Sequence, residues 1–436
     1  MALLTETSPV GVSEAFNLAS IPVTDVSHQR AYTSVYLPIS DYKDKSRNPI
    51  EFVVNNSGTK YISLNDTSLY VRFEIRDSEG EPLKYKNDNL NVAADNDVVA
   101  GVGNILNSLF TSIEVYLNGV SISTPVLNSH CYIDYIKKLL NYSNDSKSSI
   151  LTCSGFYADE ETGYASRRKL TGNGVSEWIG KLDVDFFNVS KYLLNNVEIR
   201  MRLNRSSDKF FLHTKAADKE YTVYLKEVKL YVRYIMPSDE IITAHEKILQ
   251  TNKAIYPYER HLMKTFQLSK GDLDFSAEKL FPGYLPEKMI LAFVNTETYL
   301  GKITENPYKF QNMDVSNISF FIDHEQMVNL SLDYSNNRYI EAFYSTLDNL
   351  GFGENIQENN GLSRENFKES NNLFCINLLP EKNNMENLTL VRKANTRLQI
   401  RFKSGLPNPV TLILCYTCPA VVEIDAERRV SHNFSD

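Results

Sequence analysis

The chain is poor in cysteine, nearly without tryptophan, short of positive charge and free of long apolar runs. Its five cysteines are irregularly spaced and odd in number, so they do not make a disulfide framework. A reducing, intracellular site of synthesis is expected. The longest apolar runs, Met289–Val294 and Val410–Tyr416, are far too short to span a bilayer, and no membrane partner is expected. The opening MALLTETSPVGVSEAF has neither a basic stretch nor an apolar core, so no secretory signal is expected. Asn-X-Ser/Thr triplets are frequent, as chance dictates in so Asn-rich a chain. A net charge of -8 and a pI near 5.6 give no global attraction to a phosphate backbone. Direct nucleic-acid binding is not expected.

What is present describes a folded, soluble protein. Hydrophobic residues make up 42%, charged residues 23%, and the mean hydropathy is -0.32. At 436 residues the chain exceeds one ordinary core, so two or three domains are expected. Its 26 Tyr and 22 Phe, with many Val, Ile and Thr, suit half-buried pleated surfaces better than helices.

Residues 1–46 show no sustained period and read as an N-terminal arm. Strand patterns begin near Pro49, where Ile50, Phe52 and Val54 alternate with polar neighbours. Ser68–Asp77 sets Leu69, Val71, Phe73 and Ile75 on one face and charged or tyrosine side chains on the other, a half-buried strand. Ile113–Leu117 alternates again, and Asn118-Gly119 is a strong hairpin signal. Leu127, Cys131, Tyr135, Ile136, Leu139 and Leu140 instead fall at helical spacing. The stretch from there to Leu182 reads as polar loop. Val197–Leu203 and Tyr221–Ile235 are long alternating strands, ended by Pro237. Ser238-Asp239-Glu240 opens a short helix to about Leu249, with acids at its positive end and Lys247 near its C-terminus. Further strands are expected at Tyr258–Leu268, Met289–Val294, Val315–Ile322, Leu373–Leu378, Thr396–Phe402 and Val410–Thr417, with Pro419 stopping the last. Residues 333–372 read as Asn-rich loop.

The halves repeat. VEIRMRLNR at Val197–Arg205 matches TRLQIRFKS at Thr396–Ser404, and VKLYVRYIMP ending at Pro237 matches VTLILCYTCP ending at Pro419. TSIEVYLNG at Thr111 matches SNISFFIDH at Ser316 more loosely. In chain order the offsets are 205, 199 and 182 residues by subtraction, a steady drift expected if the first copy carries longer loops near its end. The fold expected is all-β: two consecutive eight-stranded jelly-roll barrels with short inserted helices. The division expected is an arm at 1–46, a first barrel at 47–237, a helical connector at 238–253, a second barrel at 254–425 and a tail at 426–436.

Motifs for chemistry fail one by one. His28, His130, His213, His245, His261, His324 and His432 form no His-x-His, His-x-Asp or HExxH pattern. Asp323-His324-Glu325 follows an alternating strand and reads as a hairpin turn rather than a ligand set. Cys415 and Cys418 form a lone CxxC on a strand, where an odd separation sends the side chains to opposite faces. Gly174–Lys181 resembles a phosphate loop but has the wrong glycine spacing, and Leu182 replaces the hydroxyl residue. No catalytic, cofactor-binding or metal-binding residue is assigned, and no enzyme is expected. Arg167-Arg168-Lys169 with Arg200, Arg202 and Arg205 is the one notable basic cluster. It could face packaged nucleic acid or an acidic neighbouring subunit, but it reads better as a solvated strand face balanced by nearby acids.

An ordered series of segments carries a resemblance. They are Asn48–Phe52 (NPIEF), Ser68–Ile75, Leu109–Gly119 (LFTSIEVYLNG), Arg167–Leu170 (RRKL), Tyr192–Arg205 and Tyr231–Leu249. After these come Ala254–Arg260 (AIYPYER), Leu285–Phe293 (LPEKMILAF), Asn306–Phe310 (NPYKF) and Leu398–Phe402 (LQIRF), ending near Glu423–Asp425. In these the chain resembles the double jelly-roll major capsid proteins of Polinton/Maverick elements and adintovirus-like viruses of animals, over about residues 48 to 425.

The resemblance implies a structural protein of the virion. Its homotrimer would set six barrels in a pseudo-hexagonal capsomer, and capsomers would tile an icosahedral shell beside a single jelly-roll penton protein, with assembly in the host nucleus. The loops Ser78–Asp97, Tyr142–Lys181 and Asp333–Asn372 would form the outer tower and the subunit contacts. No catalytic residues transfer. The chain departs in its acidic charge and its lack of a basic arm. The gene can sit in a free virus or in a host genome as a captured element. The alternative reading is a lectin-like or receptor-binding tandem jelly roll, with an exposed cleft of aromatics and carboxylates.

Overall fold

The computed structural model describes residues 13–16, 18, 24–43, 48–83, 99–157, 161–172, 174–215, 219–281, 283–352, 359–379 and 392–434. The first half contributes β1 (His28–Tyr36), β2 (Ile50–Val54), β3 (Tyr61–Arg76), β4 (Val99–Gly101) and β5 (Phe110–Leu117). It continues with β6 (Val120–Ser121), β7 (Val175–Lys181), β8 (Ile199–Arg205), β9 (Leu212–Thr214) and β10 (Thr222–Pro237). The second half contributes β11 (Ala254–Leu268), β12 (Asp274–Glu278), β13 (Lys288–Asn295), β14 (Val315–Ile322) and β15 (Glu325–Ser331). It ends with β16 (Leu373–Asn377), β17 (Thr396–Phe402), β18 (Val410–Ile424) and β19 (Val430–Phe434).

Both halves build the same object. The first pairs β1-β10-β3-β7 in one sheet and β2-β8-β5-β6 in the other; the second pairs β11-β18-β13-β16 and β12-β17-β14-β15. Set aside the short β4–β9 ribbon and β19, which adds to β18, and each half has eight strands. In both, the sheet orders are first-eighth-third-sixth and second-seventh-fourth-fifth. These are two jelly rolls of identical topology. The three repeated segments occupy matching places: β5 and β14 are fourth strands, β8 and β17 seventh, β10 and β18 eighth. The fourth and fifth strands join by tight turns with two left-handed residues, Asn118-Gly119 at φ 45° and 82° and Asp323-His324 at 47° and 74°.

Several sequence expectations are corrected. The first barrel's opening strand, β1, lies inside the stretch read as an arm, and it pairs along β10 from His28↔Pro237 to Tyr36↔Leu230. It escaped notice because its inward side carries Tyr32, Ser34 and Tyr36 rather than aliphatics. Val430–Phe434, in the stretch read as a tail, pairs with β18. The supposed loop before Leu182 holds helices Asn144–Ser148 and Glu161–Thr171 as well as β7, and residues 333–372 hold helices Ile340–Asn349 and Arg364–Glu369. Of the loop expected at Ser78–Asp97, residues 84–97 lie outside the described residues. Pro419 does not stop β18, which runs on to Ile424. Thr417 turns its carbonyl toward Glu287 beside β13. Pro419, two residues on, presents its missing N–H to that same side, between the end of β13 pairing and the start of β19 pairing.

The decisive packing lies between the barrels. Met289, Leu291, Phe293, Leu412 and Leu414 fill the second barrel's interior. Ala292, Val294, Ile413, Cys415 and Leu373, on the other face of the same sheet, join the first barrel's core. Strands buried on both faces need apolar residues at every position. This explains why β13 and β18 hold the chain's longest apolar runs.

The first barrel meets that face with the Ser129–Asn141 helix, whose Cys131, Tyr132, Tyr135, Ile136, Leu139 and Leu140 are all buried. Leu127, grouped with them by spacing, is exposed and precedes the helix. Tyr135 stacks on Tyr308 at 4.0 Å between ring centroids, and Tyr132 stacks on Tyr299 at 5.7 Å. The Tyr308 and Ser108 hydroxyls lie 2.6 Å apart. Truncating such a ring leaves a cavity shared by both barrels. Tyr132→Ala is expected to cost about 3–5 kcal/mol, with the two barrels still unfolding in one transition, as read by urea denaturation with tryptophan and circular-dichroism signals together.

Candidate functional site: the polar core of the barrel junction

Beside the aromatic stack the junction turns ionic. Helix Ser129–Asn141 places Lys137 at its barrel-facing side, where its ammonium lies 2.8 Å from Asp183 and 3.8 Å from Asp185. Asp185 opens a short helical turn, Asp185–Asn188, that packs on β11. From there its carboxylate accepts the backbone N–H of His261 at 2.8 Å and the His261 ring at 2.8 Å. A carboxylate can only accept, so the ring carries its proton on Nδ1. On the adjoining stripe of the same helix, Asp134 and Lys138 are both buried and pair at 2.9 Å, and Lys138 also donates to Asn104 at 3.1 Å. A small cavity of about 80 Å³ separates this group from Thr124, His130 and Arg260.

The electrostatics are those of a latch. Burial alone pushes the Asp183 and Asp185 carboxyls upward, but Lys137 beside Asp183 and His261 beside Asp185 more than reverse it. Both end below the ordinary carboxylate range. Desolvation pulls the Lys137 ammonium down, yet the two aspartates carry it above its usual value. Lys137, Asp183 and Asp185 therefore stay charged near neutrality, and the bonds from Asp185 to His261 tie β11 of the second barrel to the first.

The Asp185–His261 contact is half of a hydrolytic arrangement. Among the described residues no side-chain hydroxyl or thiol bonds the other ring nitrogen of His261. Burial pushes the Cys131, Cys375 and Cys415 thiols up to about 12, the reverse of nucleophile activation. Among the described residues no three His, Cys, Asp or Glu side chains converge as a metal site. No helix there is long and apolar enough to cross a membrane.

The residues singled out from sequence are not brought together. Asp323-His324 forms the β14–β15 turn, with Asp323 accepting the N–H of Asn395. Cys415 faces the junction, Cys418 lies at the opposite parity of β18, and all five cysteines are thiols. Gly174–Lys181 is β7 and its preceding turn. The basic cluster dissolves. Arg167 is buried on a helix and donates to the carbonyls of Gly101 and Tyr157, so it belongs neither to a strand nor to a solvated face. Arg200 and Arg202 share Glu51 across β2 and β8, and Arg205 donates to the Val223 carbonyl. The ionic junction was missed because its members lie 46 to 76 residues apart in the chain. Its one local trace is the alternation of Asp183 and Asp185 just before two phenylalanines.

The sign of the pH dependence follows from the two aspartates. Their folded pKa values lie below the unfolded value, so their contribution is full above roughly pH 4–5 and is lost as pH falls toward the folded values. Asp185→Asn is expected to lose roughly 3 kcal/mol at pH 7 and to show a shallower fall in stability below pH 4 than the parent, measured by urea denaturation across pH 3–7.

No family model matches the sequence. An uncharacterized protein of Caenorhabditis elegans is 23% identical over 371 residues, covering 83% of this chain and 88% of that protein. Among solved structures, a chain of the Sputnik virophage aligns with a TM-score of 0.63 at 11% identity, covering 100% of this chain and 95% of its own. The PBCV-1 virus capsid aligns at 0.60 and 9% identity, over 96% of this chain and 100% of that one. The mavirus major capsid protein aligns at 0.55 and 9%, over 98% and 96%. At such identities the likeness is one of fold, and the fold is the double jelly roll of viral major capsid proteins.

Proposed function

We propose that this chain is the major capsid protein of a virus or virus-like element, of the Polinton/Maverick and adintovirus kind. The observation that carries the reading is the repeat itself. One chain builds the same eight-stranded barrel twice and welds the copies through a buried aromatic and ionic junction. A tile needs this rigidity, and three such chains supply six barrels for a pseudo-hexagonal capsomer. The full-length alignment with capsid chains supports the same role. Capsomers would tile an icosahedral shell with a single jelly-roll penton protein at its vertices. The virion would be the working location, reached after intracellular synthesis and assembly in the host nucleus. The acidic net charge argues against this protein holding the genome directly.

The purified full-length chain is expected to scatter light as three times its 49.8 kDa mass and to form closed shells by negative-stain microscopy. A monomer that binds glycans in an array, and never assembles, would establish the lectin-like alternative instead.

A further inference from the structure

The buried pair of Asp134 and Lys138 has a third member, which turns an ion pair into a set of reactants. Asn104 is fully buried and stands in the left-handed region, at φ 58°, just before helix Ile105–Ser108. Its side chain makes no capping bond to that helix. Instead its carbonyl oxygen accepts from the Lys138 ammonium at 3.1 Å, and its amide nitrogen donates to Asp134 Oδ2. The same Oδ2 lies 2.9 Å from Lys138 Nζ. One carboxylate oxygen thus touches both the amine that can attack the carboxamide and the nitrogen that would leave it.

The dryness of the site favours that chemistry. The Lys138 and Asp134 side chains are 6% and 2% exposed, and Asp134 Oδ1 has no hydrogen-bond partner among the described residues. Holding an ammonium and a half-satisfied carboxylate there costs free energy that a neutral amine and acid avoid. A proton passed from Nζ to Oδ2 leaves a neutral amine held against the Asn104 carboxamide. The neighbouring lysine gives the contrast. Lys137 also shares a carboxylate, Asp183, with an asparagine, Asn188. Among the described residues Lys137 makes no bond to the Asn188 amide, and Asn188 is exposed.

We propose that Lys138 and Asn104 join in an intramolecular isopeptide bond, with Asp134 as the catalytic acid and base. Nζ attacks Cγ of Asn104, a C–N bond forms, and the C–Nδ2 bond breaks to release ammonia. Of the three ammonium protons, one stays on the new amide nitrogen, one leaves on the ammonia and one remains on Asp134. The cavity of about 80 Å³ that Asp134 helps to line receives the departing ammonia. The product replaces two buried charges with an amide and a carboxylic acid. It also clamps helix Ser129–Asn141, which carries Tyr132 and Tyr135 into the junction, to the segment leading into β5. Among the described residues all five cysteines are thiols, so this is a cross-link that reductants leave closed.

Mass spectrometry of the purified full-length chain tests this. The intact protein is expected to be lighter than its sequence by one ammonia, about 17 Da. Trypsin is expected to cut after Lys137 but not after Lys138, and to yield a branched peptide joining Lys138 to Asn104. Lys138→Arg and Asp134→Asn are each expected to restore the full mass, with circular dichroism showing the fold retained. A parent of full mass, with Asn104 and Lys138 recovered in separate linear peptides, overturns the proposal. So does a deficit that persists in Lys138→Arg, because the ammonia was then lost elsewhere. A branched peptide that still forms in Asp134→Asn overturns the role given to that carboxylate.

Discussion

Everything in this molecule depends on one sheet being buried twice. β11, β18, β13 and β16 form a wall of the second barrel, and that wall's outer side is also core for the first barrel. A wall with no wet side cannot alternate, and it does not: Val410–Cys415 is buried at every residue. Buried apolar area contributes roughly 25 cal/mol per Å², so the second face adds a large stabilising term that neither barrel has alone. The two units are therefore one folding object in energy, though two in topology.

The ionic group at the junction acts differently from the aromatic stack. Burying Lys137, Asp183 and Asp185 costs desolvation that offsets much of their mutual attraction, so relative to a well-packed apolar substitute the group adds little net stability. What it adds is selection. A barrel slid by one strand would leave an ammonium or a carboxylate alone in a dry interface, at a cost of several kcal/mol. The tyrosine stack supplies adhesion, and the charges fix the register in which adhesion is allowed. At the far end Arg428 reaches back from the β18–β19 turn to the Asn195 carbonyl and side chain, while Asn118 donates to the Arg428 carbonyl. The chain end is thus fastened to the first barrel.

The readable parts of the fold were those written locally. Alternation revealed β3, β5, β8, β10, β14 and β17, and the terminal prolines and paired arginines exposed the repeat. The same local reading failed at β1, whose inward tyrosines and serine look polar, and at β7, whose Ser176 and Trp178 alternate with Glu177 inside a polar stretch. Pro419 misled because a missing N–H matters only when a neighbour needs it, and neighbours are not visible in sequence. The continuous apolar runs were visible, but their meaning, burial on two faces, requires knowing that a second barrel is adjacent. The Asp185–His261 pair spans 76 residues, and nothing local announces it.

The junction also has a direction in time. The first barrel is complete in sequence at Pro237, but the wall that covers its Ser129–Asn141 helix is not complete until Ile424 has been added. At synthesis rates of about 5–20 residues per second, that surface waits roughly ten seconds or more with Tyr132 and Tyr135 uncovered. During this interval the nascent chain presents an adhesive flank matched to a wall that finished copies have already occupied. Neighbouring ribosomes on one message hold other unfinished chains of staggered length, so the hazard of joining the wrong copy is greatest during synthesis.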